Sequence, residues 1–155
     1  MIKGIHHAAI HVSDMDRALA FYRDLLGFTV IWTQEAGGEF LANLTQIPGA
    51  ALRAVLLAAG EQRSGDRGTV ELIQMRNPQP RDMGNTFPDV RSSHLAFYVE
   101  DLPATYEALR AKGVKFNYPP QHVDEGVIAG WTIVYLTDPD GNTLEMVGLD
   151  EKPAP

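Results

Sequence analysis

The sequence contains no cysteine. Disulfides, thiolate zinc sites and cysteine nucleophiles are therefore excluded, and any metal must be held by His, Asp, Glu or backbone oxygen. Long apolar runs are missing as well, since no stretch approaches the ~18 residues that read as a membrane span. The opening Met1-Ile2-Lys3-Gly4-Ile5-His6-His7 has no signal-peptide apolar core, so the expected address is the cytoplasm, with no membrane partner. Basic residues are scarce: thirteen Lys plus Arg against twenty Asp plus Glu leave a formal charge of −7. Nothing concentrates positive charge along the chain, which argues against a nucleic-acid partner. What is present is ordinary for a folded domain: 155 residues, 45% hydrophobic and 21% charged.

The organising feature is an internal repeat. The chain first reads His7-Ala-Ala-Ile-His-Val-Ser-Asp14-Met15, then a helical pattern up to Gly27, then Phe28-Thr29-Val30. It begins again at His94-Leu-Ala-Phe-Tyr-Val-Glu-Asp101-Leu102, with a second helical pattern up to Gly113 and then Val114-Lys115-Phe116. The ends of the copies match too, Gly68-Thr-Val-Glu71-Leu-Ile73 against Asn142-Thr-Leu-Glu145-Met-Val147. Module one covers about 1–76, a connection covers 77–92, module two covers 93–149, and 150–155 reads as a frayed tail.

Within module one, the short apolar run Ile5–Val12 predicts a strand. Ser13 or Asp14 caps a helix whose stripe is Met15, Ala18, Leu19, Tyr22, Leu25 and Leu26, and Gly27 supplies its left-handed stop. In module two Asp101 is the cap, Pro103 sits harmlessly in the first turn, and Gly113 is the stop. Three strands should follow each helix: Thr29–Thr33, Leu52–Leu57 and Thr69–Met75, then Lys115–Tyr118, Thr132–Leu136 and Thr143–Val147. Asp138-Pro139-Asp140-Gly141-Asn142 predicts a hairpin turn. The stretches Gln34–Ala51, Asn77–Ser92 and Pro119–Gly130 read as long connections, which tend to carry function.

His7 and His94 hold equivalent places on the first strand of each copy, and Glu71 and Glu145 on the last. Strand alternation puts His7 on one face with Ala9 and His11, and Glu71 with Ile73 and Met75. On a curved sheet with its helix outside, the two His and two Glu point into the concavity. Inward carboxylates need partners, because burying one alone costs several kcal/mol. A divalent cation satisfies both residue types, and nitrogen–oxygen ligands suit Zn, Ni, Co, Mn or Fe(II). A single His or Glu beside an apolar run is more often a satisfied structural residue; the duplication of both pairs favours ligands.

Alternation from Ile5 puts His6 on the face opposite His7, with a structural role, and Gln74 opposite Glu71. His11 faces the ligand side as cavity wall or support for the ligands. His122, Asp124 and Glu125 lie in a loop from which they can reach substrate, and Trp131 and Tyr135 are candidates for the substrate wall. Glu35 and Glu39 are candidates for a second acid–base group. Arg53, Arg63, Arg67, Arg76 and Arg81 are scattered along the sequence rather than clustered as a phosphate or CoA handle.

The repeat, His7-Ala-Ala-Ile-His-Val-Ser-Asp-Met-Asp-Arg-Ala-Leu-Ala-Phe-Tyr-Arg-Asp-Leu-Leu-Gly27 and Asp138-Pro-Asp-Gly-Asn-Thr-Leu-Glu145 resemble the vicinal oxygen chelate superfamily over Ile5 to Leu149. That superfamily includes glyoxalase I, epimerases, extradiol dioxygenases and bleomycin-binding proteins. The resemblance implies an α+β fold of two paired βαβββ modules forming a U-shaped, cup-like sheet with helices outside, in a homodimer. It implies one divalent metal ion per site, held by His7, Glu71, His94 and Glu145. Glu145 is then the catalytic base and Glu71 a ligand or second proton carrier, in a lyase, isomerase or epimerase acting on a small oxygenated molecule. An Fe(II) extradiol-type dioxygenase is the alternative, because Tyr135 precedes Glu145 as in that group. The group also expects a His shortly before the Tyr, and only His122, farther upstream, is offered. A ligand- or antibiotic-binding resistance protein is a further alternative, disfavoured by the retention of four ligands.

Overall fold

Alternation decides the first strand, β1 (His7–His11): Ile10 is buried, while His7, Ala9 and His11 are exposed. The structure is a computed structural model that describes residues 1–60, 68–84 and 92–149. The predicted tail at 150–155, Arg63 and Arg67 lie outside those residues. The chain divides into two compact units, Met1–Met83 and Gly84–Pro155.

In the first unit Asp14 caps helix α1 (Met15–Leu19), accepting the Arg17 N–H at 2.8 Å. Met15, Ala18 and Leu19 are its buried positions. The single helix expected up to Gly27 is split, because Ala20–Leu25 widens into a π-helical turn in which the Leu26 N–H reaches the Phe21 carbonyl. Phe21 and Tyr22 stay buried through that turn, so the widening re-aims the stripe without exposing it. Gly27 follows with φ +79°, the left-handed stop expected there.

Three strands then complete a four-stranded sheet, β2 (Thr29–Ala36), β3 (Ala51–Ala58) and β4 (Thr69–Asn77), in the order β1-β4-β3-β2. β1 runs parallel to β4, and the other pairs are antiparallel. Ile10, Val55, Leu57, Val70 and Leu72 form the buried face over which α1 packs. The expected connection Gln34–Ala51 is corrected: β2 extends to Ala36, and helix α2 (Gly38–Thr45) fills most of the remainder. Only Leu41 of α2 is buried, while Phe40 and Leu44 are exposed, and the Gly37-Gly38 and Pro48-Gly49 pairs that bracket the helix read as loop.

The second unit repeats the plan. β5 (His94–Val99) is followed by α3 (Leu102–Ala111), capped by Asp101, which accepts the Ala104 N–H at 2.9 Å. β6 (Gln121–His122), β7 (Trp131–Thr137) and β8 (Thr143–Leu149) give the order β5-β8-β7-β6, again with the first strand parallel to the last. Two α+β modules of strand, helix and three strands are thus present, as the repeat implies. Lys115–Tyr118 is not a strand, however. It contributes only the bridge Phe116–Leu136, and the edge strand forms beyond Pro119-Pro120, which have no N–H to offer a ladder. The predicted hairpin turn is built on Asp138, whose Oδ1 accepts from the N–H groups of Asp140 at 2.9 Å and Asn142 at 2.8 Å. No helix among the described residues is long and apolar enough to cross a membrane.

Helix and sheet in this unit approach tightly at Gly148, where an added Cβ would lie 2.8 Å from the Cβ of Leu102. Both atoms are fixed to backbone, so the crowding cannot be relieved by a side-chain rotation. Gly148→Ala should therefore lower the unfolding free energy by about 1–3 kcal/mol, measured as a shift in the urea midpoint.

Candidate metal centre

Each module brings one imidazole to one carboxylate by the same register. In β1 and β4, His7 is paired with Thr69 and Ala9 with Glu71; in β5 and β8, His94 is paired with Thr143 and Ala96 with Glu145. The Glu therefore stands two residues along the neighbouring strand from the residue opposite the His, on the same face. The side chains close that diagonal. His7 Nε2 lies 3.2 Å from Glu71 Oε2, and His94 Nε2 lies 2.9 Å from Glu145 Oε2. Both imidazoles keep access to solvent, with side-chain exposures of 37% and 38%, while Glu71 and Glu145 keep only 17% and 11%. Among the described residues, no three His, Asp or Glu side chains of one unit stand as a ready-made cation cluster.

Register also identifies the neighbours on the Glu-bearing face. In module one, Glu71 is flanked by Leu56, and Leu56 by Trp32 of β2. In module two, Tyr135 takes the place of Leu56 beside Glu145, and Ile133 and Trp131 continue the same face. The Tyr135 ring meets His94 edge-on, with centroids 5.3 Å apart and planes at 90°. Burial pushes the Tyr135 phenol above its usual value, and the Glu145 charge adds to the shift, so the O–H remains a donor at neutral pH. Trp131 and Tyr135 thus share the face of the His94–Glu145 pair, and His11 shares that of the His7–Glu71 pair.

Other candidates fall elsewhere. His122 is opposite Thr132, one residue out of phase with Ile133, which places it on the reverse face of the sheet from Glu145. Its ring meets Thr132 Oγ1 at 3.4 Å and Asp124 at 3.7 Å. Glu35 is paired with Arg53 on the face opposite Glu71, and lies 3.8 Å from Arg76. Glu39 is exposed in the first turn of α2. Arg53 is bound to Asp16 at 3.1 Å.

Two residues near the pairs escaped the sequence reading. Trp32 belongs to the Glu71 face, but a bulge between Val30 and Trp32 shifts its register, and alternation alone does not reveal that. His6 was expected on the reverse face; it instead precedes the strand, where alternation does not apply, and its Nδ1 lies 2.8 Å from His7 Nδ1. The tandem His6-His7 was the available signal.

Known proteins share this fold. The family model described as Glyoxalase/Bleomycin resistance protein/Dioxygenase superfamily matches residues 4–146, and the chain belongs to that superfamily. Among curated relatives, a 2-epi-5-epi-valiolone epimerase from Actinomyces sp. is 30% identical over 94% of this chain and 79% of the relative. A probable lactoylglutathione lyase from Synechocystis sp. is 28% identical over 94% of this chain and 95% of its own length. A solved glyoxalase family protein from Bacillus cereus shares the fold at a TM-score of 0.79, covering 96% of this chain and 95% of that one at 15% identity.

Gln74, on the reverse face from Glu71, is a structural clamp. Its Oε1 accepts the Met15 N–H at 3.3 Å and its Nε2 donates to the Ser13 carbonyl at 3.0 Å, which fixes the start of α1 on β4. Gln74→Leu should cost about 1–3 kcal/mol of stability in urea unfolding, by leaving these groups unpaired. The His7–Glu71 pair should be undisturbed, so cation affinity by calorimetry should not change.

Proposed function

We propose that this chain is a metal-dependent, glyoxalase-like enzyme that moves a proton at a carbon adjoining a carbonyl of a small oxygenated substrate, as a lyase, isomerase or epimerase. The observation that carries this reading is the pair of duplicated His–Glu contacts. An exposed ion pair contributes about 0–1 kcal/mol, whereas desolvating a carboxylate costs several. Two such arrangements at matching positions therefore make poor sense as stabilising devices and good sense as donors. Each offers an imidazole nitrogen and a carboxylate oxygen, the donor chemistry of a divalent site without sulfur.

The residues that would hold the ion are His7, Glu71, His94 and Glu145, with Zn, Ni, Co, Mn or Fe(II) all compatible with that set. A divalent ion bound there would polarise a substrate oxygen and acidify the neighbouring C–H. Glu145 is the base that takes this proton, because its carboxylate is buried, oriented by His94 and flanked by the Tyr135 donor. Glu71 remains as ligand or second proton carrier. Trp131 and Tyr135 wall the substrate, and His11 borders the module-one pair. The names of the epimerase and lyase relatives support proton transfer next to a carbonyl. Ring cleavage loses support, because His122, the only His offered for it, sits on the reverse face from Glu145. A homodimer is the assembly that the resemblance implies.

Metal analysis of the purified protein should find a bound divalent ion. Incubation with α-hydroxycarbonyl or thioester compounds in deuterium oxide should then incorporate deuterium at the adjoining carbon. Glu145→Gln should leave the far-ultraviolet circular dichroism unchanged and slow incorporation by about 10²–10⁴-fold, while His122→Ala should leave the rate unaltered. Normal exchange in Glu145→Gln would remove Glu145 as the base. A metal-free protein that binds an antibiotic would point instead to the resistance-protein branch.

A further inference from the structure

The two His–Glu pairs are alike in register but not in what holds the imidazole. In module two the His94 ring is met edge-on by Tyr135, which stands beside Glu145 on β7. The corresponding position in module one is Leu56, which has no polar group and no ring. His7 is nevertheless met edge-on by a ring, with centroids 5.1 Å apart and planes at 86°, and that ring is His6. The contact is polar as well, because the two Nδ1 atoms lie 2.8 Å apart.

His6 is itself anchored through its backbone. Its carbonyl accepts from the Thr69 hydroxyl at 2.9 Å and from the Thr69 N–H at 3.4 Å, and Thr69 is buried. Thr69 lies two residues before Glu71 on β4, so one strand fixes both the carboxylate and the residue bracing the imidazole.

We propose that His6 is the positioning residue for His7, doing in module one the work that Tyr135 does in module two. One Nδ1 of the pair must donate and the other accept. For His7 Nε2 to present a lone pair towards a cation, the proton must sit on His7 Nδ1, and His6 Nδ1 must accept it. His6 thereby fixes both the rotation of the His7 ring and which nitrogen faces Glu71. This inference rests on the proposed role of His7 as a ligand, and its test separates the two.

Three proteins are compared: wild type, His6→Phe, which keeps an aromatic ring and removes the acceptor, and His6→Gln, which restores an acceptor oxygen. Without metal, Glu71 accepts from His7 Nε2, so His7 Nδ1 accepts from His6 Nδ1. Long-range proton–nitrogen spectra of the metal-free proteins should show the His7 Nδ1 signal displaced by that hydrogen bond in wild type and His6→Gln, and at its unbonded position in His6→Phe. Titration with zinc chloride by calorimetry should show affinity about tenfold lower in His6→Phe and largely recovered in His6→Gln. An unchanged His7 Nδ1 signal and unchanged zinc affinity in His6→Phe would overturn the positioning role. If wild type takes up no zinc, the ligand reading of His7 fails, and the spectra alone decide whether His6 orients the ring.

Discussion

Everything at the candidate centre depends on the parallel pairing of the first strand of each module with its last. Parallel neighbours share a face at every second residue, so a His on one strand and a Glu two places beyond its partner converge on a single spot. The pairing is set by apolar contacts on the other face: Ile10 beside Leu72 in one module, Phe97 beside Met146 in the other. Helices α1 and α3 cover those faces. Burial of hydrocarbon, worth about 25 cal/mol per Å², thus supplies the rigidity, and the polar residues ride on it.

The modules have diverged around a constant core. Leu56 and Tyr135 occupy corresponding places beside Glu71 and Glu145, yet one is an inert floor and the other a phenol that burial and a nearby charge keep protonated. Glu145 is also the more enclosed carboxylate, and its contact with His94 is the shorter. Module two thus sets a phenol beside its imidazole and carboxylate, while module one sets a second imidazole ring beside its own.

Much of this was legible before any coordinates. Caps at Asp14 and Asp101, stops at Gly27 and Gly113, and the Asp138 turn are local chemistry, and the structure has each in place. That each module carries one His on its first strand and one Glu on its last was legible because the repeat compares the chain with itself. What failed was governed by non-local or weak signals. Helix α2 is short and bracketed by Gly37-Gly38 and Pro48-Gly49, so its stretch reads as a loop. Lys115–Tyr118 has an apolar pattern but is followed by two prolines, and β6 forms past them. His6 was misjudged because the strand starts two residues later than its apolar run suggests, and parity has no meaning outside a strand.

The strand pairing has a kinetic consequence. His7 and Glu71 sit at opposite ends of their module's chain, as do His94 and Glu145, and each contact closes only when the last strand docks against the first. Such long-range closures are entropically demanding and come late in folding. A growing or loosened polypeptide therefore carries these imidazoles and carboxylates unaligned, and each contact appears only when its sheet is complete. The order of the strands alone delays the assembly of both pairs.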